Sequence, residues 1–239
     1  MVDTPMNNQK LIMEGWRSWL SGLFGKSLTY KDLGLLVRST SQTHAIVIYT
    51  VQRNKQGAIL IDGENMPSVV GQMSLVRTEK PCIPNTFQVS TVAVSKDYQG
   101  KGLGTMLYKI AAEITGDAGI TSDHKISTKD SAKAVWDKID KDSKWQKRQT
   151  FKGNDEFDYS GDKTPDDPKD DCESPIDSKN TVDHSYDMTS SFSTEVSKMK
   201  DNHDLFADSA KNFFGNKRVF ERALLQMASK LFSDEYNRK

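Results

Sequence analysis

The stretch Ser90-Thr-Val-Ala-Val-Ser-Lys-Asp-Tyr-Gln-Gly-Lys-Gly-Leu-Gly-Thr-Met-Leu107 carries the strongest structural signal of the 239-residue chain. An extended apolar run leads into a polar turn with three alternate glycines, and apolar residues at helical spacing follow. Glycine lets the backbone adopt left-handed conformations and approach a ligand closely. The free N–H groups and the positive dipole end of the following helix form an anion site. The pattern therefore predicts a strand, a glycine loop and a helix that bind a phosphate-bearing ligand, most naturally a pyrophosphate.

Two common phosphate-binding motifs do not fit this loop. The dinucleotide fingerprint G-x-G-x-x-G, started at Gly100, needs a glycine at the position of Thr105. The P-loop needs Lys-Ser or Lys-Thr after its last glycine, and the loop has neither pair. Such a pair follows Gly25, but the glycine required five positions earlier is Leu20, and the residues before it are typical of a helix.

Gln99-x-x-Gly102-x-Gly104, directly after a Val-Ala-Val strand, resembles the cofactor motif of the GNAT superfamily of N-acetyltransferases. The resemblance covers residues 87–114. It implies an α/β fold with a mixed sheet, a GNAT-like acyl-CoA-binding fold that carries helical appendages at both ends. A glycine-rich hairpin or helix cap without a ligand is the alternative, although three glycines in five residues exceed what a cap requires.

The resemblance also implies acetyl-CoA as the co-substrate. Its pyrophosphate would lie on the glycine turn, and its pantetheine arm would bond the preceding strand, which splays from its neighbour in this family. The residues that would bind it are Val92, Ala93, Val94, Gln99, Gly100, Lys101, Gly102, Leu103, Gly104 and Thr105. In the family an amine attacks the thioester directly, and we expect a backbone N–H near Val94 to stabilise the charge that develops on the carbonyl oxygen.

The residues expected to transfer protons depart from the family pattern. Many members carry N-x-x-A-x-x-x-Y after the next strand, and alignment on Ala132 places Lys129 and Trp136 at the Asn and Tyr positions. An indole N–H donates a hydrogen bond but does not supply a proton near neutral pH. The family's Gly-Phe before its last hairpin is also missing.

Two catalytic candidates remain near the expected site. His124 titrates in a range that suits a base, although a single histidine at a strand end is more often structural. Asp123 is the second candidate, although surface carboxylates are common. Glu113 lies off the apolar stripe of its helix, and we interpret it as solvated.

Composition excludes several classes of protein. The 33 basic and 33 acidic residues cancel, so no global charge favours nucleic acid or membrane. Cys82 and Cys172 are far apart, which argues against a disulfide framework or zinc site, and the histidines lack ligand spacing. We expect no metal, no membrane span and no signal peptide, and we expect a cytoplasmic location.

The chain divides into four predicted regions. They are N-terminal helices packing on the core (1–41), a GNAT-like acetyl-CoA-binding domain (42–150), an acidic flexible loop or linker (151–203) and C-terminal amphipathic helices (204–239). Residues 153–177 contain ten acidic and two basic residues, so this part buries little, and the EF-hand spacing that would indicate calcium is absent.

Hydrophobic periodicity predicts the individual elements. Helices are predicted at 9–24 and 30–38, strands at 44–53, 68–77, 87–94 and 119–124, and helices after Gly102 and after Thr128. The first strand of a GNAT-like domain is missing or displaced in this prediction. A last helix carries Phe220, Leu224, Met227 and Leu231, and this stripe either packs on the core or docks a protein partner.

The sequence supports three alternative hypotheses for the function. The first is an N-acetyltransferase that uses acetyl-CoA as the acetyl donor and a primary amine as the acceptor. The second is a catalytically silent module with a structural or interaction role. Residues 11–20 are similar to the openings of small tailed-phage proteins, which implies a bacterial host cytoplasm or a virion as its location. The third is nucleic-acid binding by Trp145 and the surrounding lysines and arginine between Lys138 and Lys152, although interleaved aspartates favour a solvated helix face.

Overall fold

The computed structural model describes residues 29–56, 67–78, 86–123, 130–149, 184–189 and 191–237. Seven strands in these residues form one mixed sheet with the order β1-β2-β3-β4-β5-β7-β6. The strands are β1 (Leu33–Ser39), β2 (Thr43–Thr50), β3 (Val69–Arg77), β4 (Phe87–Val94), β5 (Ile120–Ser122), β6 (Trp145–Gln149) and β7 (His184–Met188). The helices are α1 (Leu103–Thr115), α2 (Asp130–Lys141), α3 (Ser193–Ser209), α4 (Lys211–Phe214) and α5 (Lys217–Asn237). The predicted α/β class is confirmed.

Strands β1 to β4 form an antiparallel meander rich in β-branched residues, which favour the pleated backbone. β4 and β5 are parallel, so the chain must cross over between them, and α1 is that crossover. β7 pairs antiparallel with both β5 and β6 and lies between them. The parallel pair is therefore in the middle of the sheet, with the glycine loop at the carboxyl end of β4.

The first face of the sheet is covered by α1 and α2. Leu103, Leu107 and Ile110 lie on the buried stripe of α1 and join a core that includes Met73 of β3 and Trp136 of α2. Burying such side chains contributes about 1.5–3 kcal/mol each relative to exposure. This core holds the helix that follows the glycine loop firmly against the strands.

The opposite face is covered by the C-terminal helices. Phe206 of α3 and Phe220 and Leu224 of α5 pack against Val47 and Tyr49 of β2. The predicted apolar stripe of the last helix therefore packs on the sheet, which was one of its two interpretations. The sheet is the middle layer of three.

The segment predicted as a helix from Tyr30 to Arg38 is a strand instead. One 3-10 turn, Tyr30–Asp32, leads into β1, and β1 pairs with β2 over its whole length. The four residues 33–36 are all buried, because helices cover both faces of this strand. A surface helix buries one stripe only, so consecutive burial favours the strand. β1 is the strand that periodicity missed, and it moves the start of the sheet ahead of the predicted boundary at residue 42.

The acidic region predicted as flexible from 151 to 203 is also corrected at its end. Residues 151–183 lie outside the described residues, but β7 and most of α3 fall before residue 204. Tyr186 of β7 is buried, and its hydroxyl donates to Asp140 Oδ1 at 3.0 Å. Val196 and Met199 form a sparse buried stripe on α3. The polar composition of the segment hides these few apolar contacts, so composition alone predicts a loop.

Several predictions concern residues that the structure does not describe. The helix at 9–24, both cysteines and residues 153–177 are among them. In the described part of the chain, no helix is long and apolar enough to cross a membrane. The same part contains no group of three or more His, Cys, Asp or Glu side chains arranged to hold a metal ion.

A buried polar cluster joins the C-terminal helices to the sheet. Tyr49 Oη lies 3.0 Å from His203 Nδ1, and His203 Nε2 lies 3.5 Å from Glu221 Oε1. Glu221 Oε2 accepts a 2.8 Å hydrogen bond from the guanidinium of Arg38 on β1. Burial lowers the pKa of His203, and nearby Lys217 lowers it further, while Glu221 and Asp204 oppose the shift. The neutral imidazole is therefore the form that the folded protein favours.

We expect this cluster to make folding sensitive to acid. Because the folded pKa of His203 lies below the unfolded value of about 6.5, its contribution is complete above about pH 6.5 and is lost as pH falls through the folded pKa. The loss cannot exceed about 1.4 kcal/mol per pH unit for one proton. Urea titrations of the parent and His203→Gln between pH 5 and 8 test this, and equal pH slopes for both proteins would contradict it.

Candidate functional site

β4 and β5 are paired only at their beginnings. Their parallel register runs from Phe87↔Ile120 to Val89↔Ser122 and then stops. β4 itself continues to Val94, paired with β3 alone. Beyond Val89, the edge of β4 that faces β5 therefore has no strand partner within the described ranges. We call the space beside this unpaired edge, from the end of β5 to the glycine loop, the gap.

A bulge in β4 coincides with the start of this gap. Ser74 is opposite Thr91, but the next residue of β3, Leu75, is opposite Val89. Ser90 is therefore the extra residue. A β-bulge bends its strand and increases the local twist. The bulge therefore changes the course of β4 at the residue where its pairing with β5 ends.

The glycine loop connects the open end of β4 to α1. Gly100 and Gly102 have φ angles of 75° and 83°, in the left-handed region that side chains rarely adopt. Gly102 is the N-cap of α1, and no side chain caps the helix or places an acid in its first turn. The first N–H groups of a helix have no partner within it. The helix terminus therefore offers donors and a positive dipole end to an anion.

Gly104 has a different reason to be glycine. It lies in the first turn of α1, and its φ is not in the left-handed region. A Cβ built on Gly104 meets no atom within 4 Å, so packing does not exclude a larger residue either. The space above this helix turn remains open. This is the arrangement that a backbone needs for close approach to a phosphate group, so the loop fits the pyrophosphate of acetyl-CoA.

The Gln99 side chain fixes the start of the loop. Its Nε2 donates to the carbonyl oxygen of Val94 at 3.0 Å and to Glu235 Oε2 at 3.4 Å. The second contact brings the end of α5 onto the glycine loop across 136 sequence positions. Sequence analysis did not identify Glu235 as a residue of this site, because no local pattern predicts a contact between residues so far apart in the chain.

Of the two catalytic candidates, the structure describes Asp123 but not His124. Asp123 directly follows Ser122, the last residue of β5 that pairs with β4, and is half-buried. It therefore lies at the start of the gap, where the pairing of β4 and β5 ends, beside the bulge at Ser90. His124 lies outside the described residues. The structure thus brings Asp123, but no described histidine, to the open edge of β4.

Trp136 is a core residue. Its ring is buried, meets the ring of Tyr108 edge-on at 4.9 Å, and lies 5.7 Å from the ring of Tyr186. The hydroxyl of Tyr108 has no hydrogen-bond partner in the described structure, and burial raises the pKa of this side chain. At the position where many family members have a tyrosine, this chain therefore has a buried tryptophan that packs on Tyr108 between α1 and α2.

Two other interpretations are corrected. Glu113, expected to be solvated, accepts a hydrogen bond from the backbone N–H of Phe192 at 2.7 Å and so caps the start of α3. Trp145, proposed as a base-stacking residue, is buried in the core at the start of β6. A buried indole cannot stack on an exposed base, so the aromatic part of the nucleic-acid hypothesis is lost.

Part of the chain matches a family model. Residues 29–135 match the acetyltransferase (GNAT) family. The matched part begins just before β1 and ends within α2, so it contains the glycine loop and the gap. The match supports the GNAT superfamily and, in general terms, an acetyltransferase, and members of this family generally use acetyl-CoA.

Comparison with curated proteins and with solved structures found no match in either set. A phage origin, suggested by residues 11–20, is not supported. The assignment of individual cofactor-binding residues remains a prediction. It rests on the geometry of the loop and the open strand edge.

We expect Gly102→Asp to abolish binding of acetyl-CoA. The new carboxylate would stand at the N-cap of α1, where it repels a pyrophosphate and occupies the helix N–H groups itself. A loss of affinity of at least roughly a hundred-fold is expected, equivalent to about 2.7 kcal/mol. Isothermal titration calorimetry measures it.

Gly116→Asp is the matched control. Gly116 also has a positive φ, 52°, and open space around its Cβ position, but it lies at the other end of α1. Both variants therefore place an aspartate at a position of positive φ, one at each end of the helix. Equal affinities of the two variants for acetyl-CoA would contradict the assigned role of the loop.

Proposed function

We propose that this chain is an N-acetyltransferase that transfers the acetyl group of acetyl-CoA to a primary amine by direct attack. The observation that carries the proposal is the alignment of two binding features. The glycine loop with the free N-terminus of α1 stands at the open end of the gap between β4 and β5. A pyrophosphate followed by an amide-bearing arm needs these features in this order. The family match over residues 29–135 supports the same chemistry.

The backbone supplies most of the binding in this proposal. N–H groups from Gly100 to Thr105 would hold the pyrophosphate, and the open edge at Val92–Val94 would hydrogen-bond the pantetheine amides. Side chains contribute little specificity here, because a backbone donor is available whatever residue carries it. Gln99 has a positioning role, since its amide ties the loop to Val94.

Acetyl-CoA supplies an acetyl group activated as a thioester. The amine nitrogen attacks its carbonyl carbon, a C–N bond forms, and the C–S bond breaks with its electron pair on sulfur. A backbone N–H near Val94 would stabilise the negative charge on the carbonyl oxygen. The thiolate takes its proton from water, because Trp136 at the expected tyrosine position is a buried indole.

Asp123 would accept the proton that the amine loses. It stands at the end of β5, beside the open edge of β4, and it is half-buried. A carboxylate at this place can also attract a protonated amine to the gap. The neighbouring residues of β4, Ser90 and Thr91, are hydroxyl-bearing and neutral.

A catalytically silent acyl-CoA-binding module is the second candidate. The buried Trp136 at the expected tyrosine position favours it, because no acid side chain replaces the missing proton donor there. The two candidates share the cofactor site and differ in turnover. Binding of acetyl-CoA without release of CoA to any amine would identify the silent module.

The first test is a thermal melt with and without acetyl-CoA, with NAD and ATP as controls. A ligand at about a hundred times its dissociation constant adds about 2.7 kcal/mol to the free energy of unfolding. For a chain of this length the melting temperature should rise by roughly 5–10 °C. We expect this rise with acetyl-CoA alone. No rise, or an equal rise with NAD, would overturn the proposed function.

The second test concerns Asp123. We expect Asp123→Asn to lower kcat/KM for the amine by roughly a hundred-fold, which is the usual contribution of a general base. The affinity for acetyl-CoA should stay unchanged, since the loop is untouched. Asp208→Asn, which changes an exposed carboxylate on α3, is the control. Full activity of Asp123→Asn would remove this residue from the mechanism.

A further inference from the structure

The last helix is firmly attached to the sheet over only part of its length. The buried side chains of α5 are Phe220, Leu224 and Ala228, and they pack on the second face of the sheet. Among the side chains of residues 229–237, three are half-buried and six are exposed. We call these nine residues the terminal segment. Because few apolar contacts hold it, the terminal segment can open at little cost while the rest of α5 stays in place.

The terminal segment lies at the glycine loop. α5 runs over β3 and β4, and Glu235 Oε2 accepts a hydrogen bond from Gln99 Nε2 at 3.4 Å. Gln99 is three residues ahead of Gly102, the N-cap of α1, and three residues span at most about 11 Å of extended chain. Positive φ angles at Gly100 and Gly102 turn the chain here, so the real span is shorter. The Glu235 carboxylate therefore stands beside the anion site proposed above.

The charge of the terminal segment is unusual for the end of a helix. The last turn of α5 carries Asp234 and Glu235 and no basic residue. The C-terminus of a helix is the negative end of its dipole, so acidic side chains there are unfavourable within α5 alone. The N-terminus of α1 is a positive dipole end without an acid in its own first turn. Contact between the two helix ends compensates both, so electrostatics favours the closed position of the terminal segment.

The same charges oppose the binding of the cofactor. The pyrophosphate of acetyl-CoA and the Glu235 carboxylate are both anions, and the N-terminus of α1 attracts both. A carboxylate held at Gln99 repels a pyrophosphate on the adjoining loop. A pyrophosphate carries more negative charge than one carboxylate, so acetyl-CoA at sufficient concentration displaces Glu235.

We propose that the terminal segment is an autoinhibitory lid, which covers the glycine loop through the contact of Glu235 with Gln99 and which acetyl-CoA must displace in order to bind. This inference rests on the proposed function and adds to it a control of cofactor binding. A closed lid lowers the apparent affinity in proportion to the fraction of molecules in which it is open. The lid lies outside the family-matched residues 29–135, so it is an addition to the matched domain.

The first measurement is the affinity of the full chain for acetyl-CoA, by isothermal titration calorimetry, in the parent, Glu235→Gln and Glu235→Ala. Glutamine keeps a hydrogen-bond acceptor for Gln99 but removes the charge, whereas alanine removes both. We expect the dissociation constant of Glu235→Gln to fall by about three- to ten-fold, which is the usual effect of one charge at a helix terminus. Glu235→Ala should bind at least as tightly. Thermal melts without ligand show that each variant is folded.

Asp234→Asn is the matched control. Asp234 is the exposed neighbouring carboxylate, and it points about 100° away from Glu235 around the helix axis. The variant changes the net charge by the same amount without touching the contact with Gln99. Its dissociation constant should stay within about two-fold of the parent value, because salt screens exposed charges that are not in contact.

The second measurement is hydrogen exchange of residues 229–237 with and without saturating acetyl-CoA. A displaced helix end loses its packing, so we expect faster exchange of the terminal segment when acetyl-CoA is bound. A segment that instead closes over the bound cofactor would exchange more slowly.

Three results would overturn the inference while leaving the proposed function intact, in a parent protein that binds acetyl-CoA in the thermal melt. They are unchanged or weaker binding by Glu235→Gln, an equal gain in affinity in Asp234→Asn, and unchanged or slower exchange of the terminal segment with acetyl-CoA. Weaker binding by both Glu235 variants would mean that Glu235 holds Gln99 in place for the cofactor. A parent protein that does not bind acetyl-CoA would overturn the proposed function, and this inference with it.

Discussion

The rest of the site depends on the point at which β4 stops pairing with β5. The extra residue Ser90 bends β4 there, and its edge then lacks a strand partner in the described structure up to Val94. Unpaired backbone groups inside a sheet are costly unless a ligand or water satisfies them. The unpaired edge therefore supports the proposed binding of a ligand by the main chain, and it leads to the glycine loop. The crossover helix α1 connects β4 to β5, and its N-terminus lies at the glycine loop.

The C-terminal helices make this site asymmetric. α1 and α2 close one face with apolar side chains, whereas α5 crosses the other face and ends at Gln99 through Glu235. Their attachment depends on close packing at β1, where a Cβ on Gly34 would lie 2.3 Å from Tyr49 Cζ. Only glycine lets the Tyr49 ring reach His203 across β1. The second face of the sheet is thus covered by helices that lie outside the family-matched residues 29–135.

The proposed chemistry of the site rests mainly on backbone groups, which explains how much of the site could be predicted from the sequence. Gly100 and Gly102 need left-handed backbone, and Gly104 leaves open space, so three glycines mark the loop without any knowledge of the fold. Side-chain roles are harder to predict. Trp136 is at the position where many family members have a tyrosine, but here it is a core residue.

The sequence by itself determined the strand–glycine–helix unit, the α/β class and the amphipathic last helix, because these depend on local periodicity and backbone preference. Tertiary structure decided that the segment Leu33–Ser39 is a strand, since pairing with β2 and burial on both faces outweigh its helical spacing. It also decided that the polar segment Ser193–Ser209 is ordered, and that Asp123 stands beside the bulge in β4. Contacts between residues distant in the chain have no local signature, so only the folded sheet brings the parts of this site together.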